Sequence, residues 1–145
     1  MIEFRVYGTP VPQGSKGIMR GRLVSTNDAD LRRWRATVEQ TAREHYTGEP
    51  LTGPVRLTAA FYFARPKYHY RTGKHAHELR ADAPVWHDKK PDHDKLLRAV
   101  CDALTDAGVW RDDSQVAMSH PSKRYAPDGR TEGVVIRVSP LQLTE

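Results

Sequence analysis

Apolar and polar positions alternate at the start of the chain. Ile2, Phe4 and Val6 share one face and Glu3 and Arg5 the other, which predicts a half-buried strand. Ser25, Thr26, Asn27 and Asp28 then offer helix N-caps, and Leu31, Trp34, Val38, Thr41 and Ala42 follow at spacings of three and four. This pattern predicts a helix over residues 29–46, ended by Gly48 and Pro50, with Trp34 in the core. Period two returns at Val55, Leu57, Ala59, Phe61 and Phe63, a second strand over 55–64. Leu97, Val100, Cys101, Leu104 and Ala107 form the stripe of a second helix over 94–107, with Gly108 as its C′ residue. The last apolar runs predict strands over 115–119, extending towards Lys123, and over 133–138. A turn at Pro127, Asp128 and Gly129 would join them as a hairpin.

The stretches between these elements are less regular. Residues 8–17 are punctuated by Pro and Gly, and a short strand is expected at Leu23 and Val24. Residues 65–90 carry His69, His75, His77 and His87 with many Lys and Arg and no apolar period, and read as a mobile basic loop. The order β-α-β-α-β-β predicts an α/β (α+β mixed) fold, a mixed sheet with two main helices packed on it. At 145 residues the chain suits a single domain with one core. Val109 and Trp110 could pack on the sheet or at a subunit interface, and the sequence leaves both open.

Charge narrows the partner. The net charge of +5 suits a polyanion, since Lys and Arg neutralise phosphates and release counterions. The one cysteine, Cys101, excludes an internal disulfide and a cysteine-rich zinc site, and points to the reducing cytoplasm. No apolar run is long enough for a membrane span, and residues 1–6 lack the features of a signal peptide. The histidines, His93 included, lack a recognised zinc-ligand spacing. The loop from Gln13 to Gly17 lacks the length and helix of a phosphate-binding P-loop, although with Lys16, Arg20 and Arg22 it could still grip DNA backbone.

Against this basic background the acids are grouped. Asp92 and Asp94 flank one residue at the mouth of the second helix, and Asp112 and Asp113 follow that helix. Carboxylates are the ligands a hard Mg²⁺ prefers, with water and substrate phosphate completing the shell. The helix is roughly 20 Å long at 1.5 Å per residue. The steps from Ala107 to Asp113, if extended, cover about the same 20 Å, so length permits Asp113 to return to the helix start. Taken singly, an Asp at a helix N-terminus is also a common cap and an Asp pair a common solvated turn.

The run from Lys90 to Lys123, containing P-D-x-D-K-L-x-R-x-x-x-D-A-L and W-x-D-D-S-Q-V, closely resembles the RusA family of Holliday-junction resolvases. The usual family pattern is D-x-D-N-L-x-K-x-x-x-D-A-L, a variable turn, D-D-x-Q-V and a basic residue further on. The resemblance implies a homodimeric crossover junction endodeoxyribonuclease of DNA recombination and repair that nicks four-way junctions in symmetric pairs. It implies Mg²⁺, with Mn²⁺ able to substitute, no small-molecule cofactor and no membrane, and it suits a phage or prophage source. Residue by residue, Asp92, Asp94 and Asp113 fall on the catalytic, metal-binding acids. Arg98 falls on an essential lysine position and Lys123 on the later basic one, while Asp102 and Gln115 fall on supporting positions.

Two departures matter. Lys95 stands where the family has asparagine, and Arg98 replaces lysine. Arginine does not give up a proton at neutral pH but clamps phosphate bidentately, so an electrostatic role survives the change. The expected DNA contacts are Lys16, Arg20, Arg22, Lys89, Lys90, Lys95, Arg98 and Lys123. Two other readings fit the same residues: a non-catalytic DNA-binding dimer, and a metal-dependent nuclease acting on flaps or other branched DNA.

Overall fold

The computed structural model describes residues 1–14 and 28–142, together with the backbone of two short strands at 16–19 and 22–25. In chain order the strands are β1 (Ile2–Tyr7), β2 (Lys16–Met19), β3 (Arg22–Ser25), β4 (Val55–Phe63), β5 (Val116–Tyr125) and β6 (Gly133–Pro140). The helices are α1 (Asp28–His45) and α2 (His93–Asp106). None of the described helices is long and apolar enough to cross a membrane.

The main sheet runs β1-β6-β4-β5, and β2 and β3 pair separately. β6 is antiparallel to both β1 and β4, while β4 and β5 are parallel, so the sheet is mixed. One face is apolar: Phe4 and Val6, Leu57, Ala59 and Phe61, and Val134, Ile136 and Val138 are all buried. α1 seals it with Trp34, Val38 and Ala42, and α2 with Leu96, Ala99, Val100, Ala103 and Leu104. The α2 stripe is therefore turned by about one residue from the expected one, with Leu97 and Cys101 at its border. Val109 and Trp110 are buried in the same core.

The expected hairpin between the last two strands does not form. β5 pairs parallel with β4 up to Phe63↔Tyr125, and β6 lies on the other side of β4. β4 takes the centre because every second side chain along it is buried, from Val55 to Phe63. The connection after β5 crosses the end of β4, where Ala126 N–H donates to the Phe63 carbonyl (2.8 Å) and Arg65 N–H to that of Gly129 (2.9 Å). Gly129 is required there. Its φ is +76° and an added Cβ would stand 2.0 Å from the Tyr70 hydroxyl oxygen.

Residues 65–90 contain short 3₁₀ turns at Lys67–His69 and Gly73–His75 and the bridges Tyr70↔Leu79 and Trp86↔Arg124. They also cover part of the β5 edge: His87 N–H donates to the Lys123 carbonyl (3.1 Å) and Tyr125 N–H to that of Val85 (3.0 Å). Outward-pointing amides on this strand thus belong to residues 123 and 125 and, by alternation, to position 121. That position is Pro121, which has no N–H and costs the β4–β5 ladder nothing.

Candidate functional site

Parallel β4 and β5 direct their carboxyl ends towards the loop that feeds α2, the place where open α/β sheets hold ligands. Asp92 is the N-cap of α2, with extended backbone (φ −69°, ψ 139°), yet its side chain makes no capping hydrogen bond. Its carboxylate lies 3.7 Å from Lys95 Nζ. Asp94, in the first turn, is exposed and makes no hydrogen bond or ion pair with the described residues. Both carboxylates thus remain open to a ligand at the positive end of the helix.

Cations surround this pair. Lys123 sits on the inner face of β5 and its ammonium donates to the carbonyls of Lys89 and Pro91, the latter at 2.7 Å. It therefore pins the segment immediately before Asp92. Burial lowers the Lys123 pKa, against the opposing pull of the Asp92 and Asp88 charges. Gln13 N–H donates to the Lys95 carbonyl (3.0 Å), laying the N-terminal loop against α2. Arg98 Nη1 reaches the same loop, 3.5 Å from where a Cβ on Gly14 would stand. Lys89, Lys90 and Arg98 are exposed. The side chains of Lys16 and Arg22, and Arg20 altogether, lie outside the described residues.

Asp112 and Asp113 differ in what holds them. They occupy a 3₁₀ turn, not a strand start, and Asp112 caps it by accepting from Ser114 N–H (2.8 Å). That bond holds its carboxyl below the usual range. Asp113 lies near α2: with burial as the larger cause, its charge helps push the Cys101 thiol up to about 12. Both Asp112 and Asp113 line a cleft of about 250 Å³ with Arg35, Asp102 and Asp106, along the second half of the helix. Among the described residues no three His, Cys, Asp or Glu side chains form a group that could hold a metal. Asp92 and Asp94 lie together at the helix start, and Asp113 stands apart from them.

The shorter return has a physical cause. After Gly108 (φ +78°) the chain folds back through Gly108 N–H to Thr105 O and Val109 N–H to Leu104 O, both 3.1 Å. It then buries Val109 and Trp110, whose indole donates to the Thr105 hydroxyl at 2.7 Å. Length that could have run extended along α2 goes into the core. Gln115, read from sequence only as a supporting position, ties this turn down. Its Oε1 accepts from the amides of Arg111 (3.0 Å) and Asp112 (3.2 Å), and its Nε2 donates to the carbonyls of Leu51 (2.9 Å) and Gly53 (3.0 Å).

Residues 65–90 hold side chains the sequence reading passed over. His69 is buried between Tyr68 and Tyr125, meeting both rings edge-on, and His87 lies against Phe63 and Tyr125. The alternation Tyr68, His69, Tyr70 was the available signal, masked by the polar residues around it.

The donor set at the helix mouth suits a hard cation. Asp94, and Asp92 with only the exposed Lys95 pair, offer oxygen ligands, and one or two carboxylates with water and phosphate are what Mg²⁺ commonly takes. The family model described as Endodeoxyribonuclease RusA matches residues 7–138 of this chain. The chain is also 31% identical over 140 residues to an uncharacterized protein of Bacillus subtilis (strain 168), YqaN, the match covering 95% of this chain and 97% of that one.

Proposed function

From the premise that the chain belongs to the RusA endodeoxyribonuclease family, we propose that it is a metal-dependent, structure-selective nuclease that resolves Holliday junctions in DNA recombination and repair. The observation that carries this reading is the Asp92–Asp94 pair, two carboxylates free of capping duty at a helix start flanked by Lys95, Arg98 and Lys123.

In this reading Asp92 and Asp94 hold Mg²⁺, or Mn²⁺ in its place. The cation, once bound, polarises the scissile phosphate and lowers the pKa of an attacking water. Asp113, which stands apart from this pair, is kept as the third acid on its match to the family pattern, and Asp112 is left out because Ser114 N–H holds its carboxylate. Arg98 clamps a phosphate oxygen pair without exchanging a proton. Lys89, Lys90 and Lys95 neutralise the flanking backbone. Lys123 keeps the 89–91 segment, and with it Asp92, in place. Symmetric nicks on a two-fold junction need two sites related by a two-fold axis, so we assign a homodimer of about 33 kDa, twice the 16.5 kDa chain.

The test compares a four-way junction, a flap and a linear duplex, each with Mg²⁺ and with EDTA. Paired cuts in the junction that need Mg²⁺ and vanish in Asp94→Asn, while junction binding persists, are the expected result. Preferential flap cutting moves the substrate assignment. Binding without metal-dependent cutting of any arm overturns the enzymatic reading.

A further inference from the structure

Beside the acidic pair, the segment between β4 and α2 builds a cavity of about 390 Å³ whose walls include Tyr68, His69, Arg80, Asp82, Lys89 and Tyr125. Its volume falls in the range that holds small organic ligands. The cavity and the pair share a support. Lys123 donates to the carbonyl of Lys89, in the cavity wall, and to that of Pro91, next to Asp92.

The lining has a definite polarity. His69 is 4% exposed, and its Nδ1 lies 3.3 Å from Arg65 Nη1. A guanidinium only donates, so Nδ1 accepts and the ring proton sits on Nε2. Burial first and the Arg65 charge second lower the His69 pKa, so this neutral ring is the form present at neutral pH. Nε2–H is left as a donor without a partner among the described residues. Asp82 supplies the acceptor. Arg80 donates to both its oxygens, from Nε at 3.1 Å and Nη2 at 3.5 Å, and holds its carboxyl below the usual range; the group is exposed and each oxygen keeps a lone pair. Tyr68 is 65% exposed, leaving a ring face open at the mouth, and Tyr125 closes the inner end. Arg80 and Lys89 are balanced in the same lining by Asp82 (3.1 Å from Arg80) and Asp88 (4.0 Å from Lys89).

We propose that this cavity receives one unstacked nucleobase of the DNA strand lying over Asp92 and Asp94, through a base edge that sets an N–H donor beside an acceptor. The base stacks on Tyr68, a contact that any base face can make. Its N–H donor meets Asp82, as cytosine and adenine amino groups donate to carboxylate and amide acceptors elsewhere. The acceptor beside it takes the His69 Nε2–H. Thymine fits as well, with N3–H for Asp82 and O4 for His69, so the site takes any base edge that sets a donor beside an acceptor. Unpaired bases are the least costly to draw out, and a base pair at the crossing point of branched DNA has lost a stacked neighbour on one side. The placement over Asp92 and Asp94 rests on the nuclease reading; the pocket's chemistry does not.

The first experiment therefore uses no cleavage. Deoxynucleoside monophosphates are titrated into the whole protein and followed by the His69 imidazole NMR signal. dAMP, dCMP and dTMP should each shift it at concentrations where deoxyribose 5-phosphate, which has no base, does not. Tyr68→Ala and Asp82→Ala, both at exposed positions, should each weaken binding by roughly tenfold. Equal response to deoxyribose 5-phosphate, or none to any nucleotide, overturns the pocket. In the second experiment 2-aminopurine, which carries an amino group beside ring nitrogens, is placed in turn at each position around a four-way junction in EDTA. One position should change fluorescence on binding, and Tyr68→Ala should abolish that change while the junction still binds. A bound junction with no responsive position refutes the proposal. Nucleotide binding without junction binding keeps the pocket and removes the junction reading.

Discussion

Lys123→Met separates two roles for one cation. The side chain keeps its stem but loses two charge-assisted hydrogen bonds, to the carbonyls of Lys89 and Pro91. Such bonds are worth roughly 1.5–3 kcal/mol each when buried. The Lys89 carbonyl is exposed and water replaces much of its bond, whereas the Pro91 carbonyl is half-buried. A total loss of about 2 kcal/mol follows, and for a domain of this size that lowers Tm by about 4–8 °C. The freed 89–91 segment carries Asp92, and misplacement by about 1 Å can cost roughly 100-fold in rate. Junction affinity should stay within about twofold, and the slope of log affinity against log salt should not change, because an ammonium occupied by carbonyls neutralises no phosphate. Calorimetry, single-turnover cleavage and anisotropy titrations at several salt concentrations measure the three quantities. An unchanged Tm together with a salt slope reduced by about one would show that Lys123 contacts phosphate and that its carbonyl bonds carry nothing.

Asp113→Asn should remove most cleavage with Tm within about 2 °C of wild type, whereas Asp112→Ala should cut normally and melt below wild type through loss of its cap; cleavage assays on both, giving the reverse ranking, would mean that the wrong aspartate was chosen. Gln115→Ala breaks four hydrogen bonds and should lower the urea unfolding free energy by roughly 2–3 kcal/mol, and Gln115→Glu, which keeps the acceptor and loses the donors, should fall between; equal midpoints for all three proteins would deny that Gln115 ties the turn down. Asp128 is held at about 2 by bonds from the Thr131 hydroxyl and the Thr131 and Arg130 amides. A depressed acid stabilises the fold above its unfolded pKa and ceases to as pH falls through the folded value. The Tm of Asp128→Ala should lie below wild type at pH 7, and the gap should close between about pH 4 and pH 2.

Both helices and the strands β1, β4 and β6 were legible because each repeats an apolar period over several residues, and that period survives without knowledge of its partners. Strand pairing was not. Alternation tells which face of β5 is buried but not which neighbour it takes, and the short Pro127–Asp128–Gly129 turn favoured a local hairpin over the longer-range pairing with β4. The same limit affected the site. Asp92 and Asp94 were readable because they are two apart on one chain. The reach of Asp113 depended on whether residues 108–112 ran extended, and burial of Trp110 decided that they did not. His69 was hidden for a different reason: a titratable side chain inside an otherwise polar stretch gives no apolar signal, although aromatic rings and a guanidinium can bury it.

Pro121 bears on how copies of the molecule meet in concentrated solution. Where residues 85–87 stop covering β5, the next outward amide is missing, so a strand from another molecule finds its hydrogen-bonding row interrupted at the point where it would begin to zip. A residue with an N–H at 121 would leave the ladder to β4 intact and reopen that row. The change would register between molecules, as strand-mediated association, and hardly at all in the stability of one.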